Sequence, residues 1–243
     1  MSRLFAWMIV FTLSTPVIAA ETVIYSAEYT ARSNGLTATA RRLLTGNEDN
    51  RYTLVNRMTV EVLGATLGRI EETSEFLWHN ETVQSLRYTY AQSGIRSQRE
   101  SVEFDWEANV VRGSEESETW ESPLPESNTV YDPLNFQFSL RQRLQRNPSL
   151  TDLEFAIADS DQIDMQTWRV TGEEVVSTGL GPINCLRIER VRDESSRRST
   201  TIWLAREWGM LLTRLVQTSS SGDETELLLS NAIIGADPVT AMP

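Results

Sequence analysis

The chain reads as a mainly β protein, a curved antiparallel sheet or half-open barrel plugged by one amphipathic helix. Three observations predict it. Apolar and polar residues alternate with period two along most of the 243 residues, the spacing of half-buried strands. Turn-forming residues interrupt the alternation at short intervals, as in strands joined by hairpins. One segment, 132–148, changes to helical spacing.

The first hairpin is plain in the residues. Within 23–29, Tyr25, Ala27 and Tyr29 fall on one face. Ser33-Asn34-Gly35 supplies a tight turn, since Asn and Gly tolerate positive φ. Leu36, Ala38 and Ala40 then resume the period. In 51–63, Tyr52, Leu54, Asn56, Met58, Val60 and Val62 share a face on which Asn56 is the exception. Further strands are predicted at 69–78, 82–90, 101–106 and 165–178. In the third of these, Val102, Phe104 and Trp106 alternate against Glu103, Asp105 and Glu107. The last third continues with 183–191 and 198–204, joined by a polar connection at 192–197. A hairpin of 211–218 and 224–231 follows, around Ser220-Ser221-Gly222-Asp223. Such a series predicts a sheet that curls on itself, packed on one face and wet on the other.

Asp132-Pro133 marks the helix start, Asp as the cap and Pro at the first position. Phe136, Leu140 and Leu144 lie four apart on one face. Arg141, Arg143 and Arg146 gather where cations suit the helix dipole, and Asn147-Pro148 stops the helix. A lone amphipathic helix among strands covers the concave side of the sheet. Residues 113–128, rich in Ser, Glu and Pro, read as a mobile acidic loop.

Residues 1–20 have the form of an export signal: an Arg near the start, an apolar run at 4–13, and a small-residue tail cleaved near Ala19 or Ala20. That leaves one β-rich domain over 21–235 and a flexible tail over 236–243, in the periplasm. No later apolar run reaches the ~18 residues a membrane helix needs, so no transmembrane segment is expected. The net charge of −12 repels phosphate backbones and argues against a nucleic-acid partner.

The stretch Tyr131-Asp132-Pro133-Leu134-Asn135-Phe136-Gln137-Phe138-Ser139-Leu140-Arg141 resembles the central motif of an exported bacterial family classed as a domain of unknown function. Gly179-Leu180-Gly181-Pro182-Ile183 and Thr201-Ile202-Trp203-Leu204-Ala205 resemble its C-terminal pattern. In outline that family is similar to the periplasmic lipoprotein-localisation carriers, whose open half-barrel with a helical plug holds acyl chains. The resemblance implies a fold and a compartment, and it brings no residue roles with it.

Catalytic side chains are scarce. The chain has one histidine (His79), one cysteine (Cys185) and no lysine, so all 22 basic residues are Arg. His79 sits at a strand end or turn, with no Gly-x-Ser-x-Gly elbow anywhere to serve. Cys185 lies in strand language and is expected to be buried and inert. One His and one Cys do not make a zinc set. Asp159-Ser160-Asp161-Gln162-Ile163-Asp164 lacks the glycine turn and distal Glu of a helical calcium loop, and reads as a solvated acidic loop. No cofactor or metal is expected.

The aromatic residues either fill the sheet–helix core or line a cavity. The cavity candidates are Phe136, Phe138, Leu140, Trp168 and Trp203. The expectation is a non-enzymatic periplasmic protein that binds a hydrophobic ligand (a lipid or acyl chain) or an envelope partner. Two alternatives stand beside it: an envelope scaffold without a cavity, and a carboxylate-dependent glycan hydrolase.

Overall fold

The computed structural model describes residues 21–63, 65–94, 96–125 and 129–241. The expected export signal at 1–20 lies outside them, as do residues 242 and 243 of the expected tail.

Eight strands run as an antiparallel meander. They are β1 (Thr22–Ser33), β2 (Leu36–Gly46), β3 (Arg51–Val62), β4 (Ala65–His79), β5 (Thr82–Gly94), β6 (Gln98–Asp105), β7 (Val110–Glu115) and β8 (Glu118–Pro123). The chain then forms β9 (Val130–Tyr131), the helix α1 (Asn135–Arg146) and β10 (Asp152–Ala158). A second meander follows: β11 (Ile163–Thr178), β12 (Gly181–Val191), β13 (Ser199–Ala205), β14 (Leu211–Thr218), β15 (Glu224–Ile234) and the short β16 (Asp237–Pro238).

One sheet holds them all, with β8 through β1 in reverse order, then β15 down to β9, and β16 paired on β15. The two meanders join through β1 and β15, where Ala27 faces Ala232. β9 and β10 are parallel, as the helical crossover between them allows. The sheet is curved and does not close into a barrel. Register shifts at Glu28/Tyr29, Glu75/Phe76, Val170/Gly172 and Trp203/Leu204 bend the strands that carry them.

The predicted alternation holds where it is clearest. Tyr25, Ala27 and Tyr29 are buried, and Asn34 and Gly35 form the first turn with φ of 49° and 76°. The helix lies on the concave face. Leu140 and Leu144 are fully buried, and Phe138 is ringed by Phe76, Trp78 and Tyr52 at centroid distances of 5.1, 5.3 and 5.7 Å. Phe136 reaches the other limb, 5.6 Å from Phe155 and 5.4 Å from Trp168. The helix thus ties β3 and β4 to β10 and β11.

Three expectations need correction. Residues 113–128 are not a mobile loop over their first part, because β7 and β8 form a hairpin there. Its close approach explains Gly113: a Cβ at that position would lie 1.9 Å from the Trp120 Nε1. Residues 236–241 are not loose, since Asp237 and Pro238 pair with β15, Val239 donates its N–H to the Ala232 carbonyl, and its side chain is buried. The regular helix begins at Asn135, and Leu134 before it offers no side-chain cap. Asp132 caps one turn earlier, its Oδ1 accepting from the N–H groups of Leu134 and Asn135, each at 2.8 Å.

Candidate functional site

A line of polar residues crosses the otherwise apolar concave face. Alternation on β2 turns Arg41 outward, to pair with Glu28, and Arg42 inward, where it is 5% exposed. The Arg42 Nε donates to the Tyr25 hydroxyl at 3.1 Å and its Nη1 to the Gln137 Oε1 at 2.8 Å, linking β1, β2 and α1. Burial works against this charge, but the phenol oxygens of Tyr25 and Tyr29, with Glu72 nearby, hold its pKa above the ordinary value. Arg141 stacks on the Tyr25 ring, 4.6 Å from its centroid, and donates to the Gly209 carbonyl at 2.9 Å. Burial pulls the Arg141 pKa down, with Arg42 adding to the effect. In the same cross-strand row, two strands over on β4, Glu72 accepts from the Tyr88 hydroxyl and from Asn56 Nδ2, each at 3.0 Å. Burial, and then Glu72, push the Tyr88 phenol up.

Between these groups lies a cavity of about 330 Å³. Arg42 and Glu72 share its wall with Met58, Ile70, Leu212 and Leu227. A second hollow of about 220 Å³ adjoins it, sharing Met58 and Ile70. The first volume falls at the lower end of what small-molecule sites occupy, and apolar walls with a few convergent polar groups are their usual lining.

Beside the cavity, Asp132 anchors the start of the helix. Its Oδ2 accepts from the Ser74 hydroxyl at 2.6 Å and from Asn135 Nδ2 at 2.7 Å. Asn135 Oδ1 takes the Asp132 N–H at 2.9 Å, and Asn135 Nδ2 also reaches the Ser85 hydroxyl, which donates to the Val130 carbonyl at 2.8 Å. Burial raises the Asp132 carboxyl to about 7, against the pull of its donors, and Glu72 adds to the rise. Sealed at 0% exposure, this group fixes α1 to β4 and β5 and is out of reach of a substrate.

The five predicted cavity residues do not share one wall. Phe136, Phe138 and Trp168 are locked in the aromatic packing described above. Leu140 borders a hollow of about 10 Å³ under the helix. Trp203 points to the other face of β13 from Ile202 and Leu204, its Nε1 donating to Glu174 at 2.8 Å and its ring lying between the Arg187 and Arg214 guanidiniums. The residues that do line the cavity left one signal in the sequence, a polar side chain at an inward position. Asn56 carried it on β3, and Arg42 carries it on the parity of Ala38 and Ala40.

Other chemistry-bearing residues lie apart. His79 is exposed at the end of β4. Cys185 is 1% exposed, and burial pushes its thiol up to about 11. Among the described residues, no group of three or more His, Cys, Asp or Glu is placed to hold a metal ion.

Residues 25–229 match the family model DUF3108, described as a protein of unknown function. The chain belongs to that family. No curated protein matches this DUF3108 chain. Among solved structures it is similar to a β-barrel-like protein of the domain of unknown function DUF1849 from Brucella abortus. Identity is 11% and the TM-score 0.54, over 90% of this chain and 98% of the other. A protein from Parabacteroides distasonis ATCC 8503, described as a "putative lipoprotein", aligns at 13% identity and a TM-score of 0.30, over 87% of this chain and 96% of the other. The first likeness shows that the DUF3108 chain shares a β-barrel-like fold. Among the described residues no helix is long and apolar enough to cross a membrane.

Proposed function

We propose that this protein is an exported, periplasmic, non-enzymatic carrier, a single domain from residue 21 that takes in β16 and Val239 and holds a lipid or acyl chain in the concave hollow. The observation that carries the reading is the cavity of about 330 Å³ between the sheet and the helix start, walled by Met58, Ile70, Leu212 and Leu227. Those side chains are apolar and a ligand can reach them, whereas the aromatic residues under the helix are already packed. A glycan hydrolase needs two carboxylates that meet its substrate. Glu72 lines the hollow, but its neighbour Asp132 is sealed, which argues against that alternative. The scaffold alternative would use the free edge of β8, where Glu118, Glu121 and Pro123 discourage strand pairing.

Native mass spectrometry of the chain purified from periplasm, followed by organic extraction, tests the reading. A co-purifying lipid mass, diminished in a Met58→Trp variant that fills the hollow, is expected. A bare protein mass with no lipid uptake on incubation would sink the carrier and leave the envelope scaffold.

A further inference from the structure

The cavity wall carries a cation that no carboxylate pairs directly among the described residues. Arg42 is nearly fully buried, yet among the described residues no carboxylate lies within 4 Å of it. Its neighbours show the contrast: Arg41 pairs with Glu28, and Arg57 with Glu71 at 2.7 Å, both on the outer face. The two partners of Arg42, Tyr25 and Gln137, are neutral, and no described residue accepts a hydrogen bond from its Nη2. Arg141, whose pKa burial pulls down against the favourable Tyr25 and with Arg42 adding to the fall, donates to the Gly209 carbonyl and stacks on the Tyr25 ring. It too has no carboxylate partner within 4 Å among the described residues. The one acid that shares the hollow, Glu72, has both oxygens engaged by Asn56 and Tyr88. A nearly buried cation without a direct counter-ion is costly, and a guanidinium nitrogen left open to the hollow suits a charged acceptor.

We propose that Arg42 is the seat for an anionic headgroup, a carboxylate or phosphate, and that the ligand is therefore an anionic amphiphile. Its head meets the Arg42 guanidinium, while its chain lies along Met58 and Ile70 into the adjoining hollow. The inference rests on the carrier reading and adds to it the chemistry of the head.

The test uses the delipidated chain and four probes, each below its micelle concentration: palmitate, hexadecyl phosphate, methyl palmitate and inorganic phosphate, measured by calorimetry. At least one of the two anionic amphiphiles should bind about tenfold or more tighter than the ester, the range of a hydrogen bond to a charged group. Which of the two does so separates a carboxylate head from a phosphate head. In Arg42→Gln that preference should vanish while ester binding stays, and Arg42→Lys should restore part of it. If Arg42→Gln fails to fold, the ratio of acid to ester in the wild type still decides. Anionic probes and ester bound within about twofold of one another would overturn the anion seat and leave the carrier standing. No uptake of any sixteen-carbon probe would overturn both. Inorganic phosphate bound as tightly as hexadecyl phosphate would overturn the amphiphile.

Discussion

Asp132 shows what one side chain can settle. Four donors converge on its carboxylate, and they come from β4, from the helix start and from Asn135. Asp132→Asn would present an N–H₂ to donors already in place. It should cost about 2–4 kcal/mol by urea unfolding, as leaving buried donors unsatisfied does. The same group sets a pH dependence whose sign is fixed by burial. Its folded pKa, about 7, exceeds the ordinary 3.8, so the native state holds the proton more tightly than the unfolded chain. The stability it lends is complete below about 4 and fades as pH rises through about 7. Urea midpoints measured across that window should fall in the wild type and stay flat in Asp132→Asn once other titrations, common to both, are subtracted. Cys185 belongs to the same scale. With its thiol raised to about 11 and buried, it should ignore a disulfide reagent at pH 8 in the native protein and react at once in urea.

At the scale of elements, the helix is more deeply embedded than an amphipathic pattern implies. Phe136, Leu140 and Leu144 were legible as one face, because they recur every four residues. Phe138 and Ser139 fall outside that face and are buried as well, since a curved sheet covers the helix on more than one side. Period alone assumes one wet flank, so it could not reveal the second contact. Phe138→Ala should cost about 3–5 kcal/mol, in line with other buried aromatic truncations. The β7–β8 hairpin was hidden for the opposite reason: its strands are half-exposed and rich in Ser and Glu, so their composition mimics a loop. Gly113→Ala forces Trp120 out of its place and should cost about 1–3 kcal/mol, visible as a change in tryptophan emission. Arg42 marks the limit of the candidate site's legibility. Its inward parity could be read from β2, but its partners, on β1 and the helix, are set by folding and carry no local signature.

For the molecule as a whole, alternation announced many strands but not which strand lies beside which. Period two is the same for any neighbour, so the pairing of β1 with β15 left no trace in either segment. Neither did the two-residue β9, too short to show a period. The pairing itself is decisive for stability. Removing β15 and β16 would uncover the β1 edge and the β14 edge together, and such a truncation should fail to unfold cooperatively in urea. It also has a consequence in time. A growing chain can pair β1 through β8 as each appears, each next to the last, yet the seam in the middle of the sheet waits for a strand made almost two hundred residues later. Until then the first strand offers an unguarded backbone to any passing chain. The birth of this protein is therefore its most vulnerable hour, and a chaperone that shields its opening strand would serve it before any ligand does.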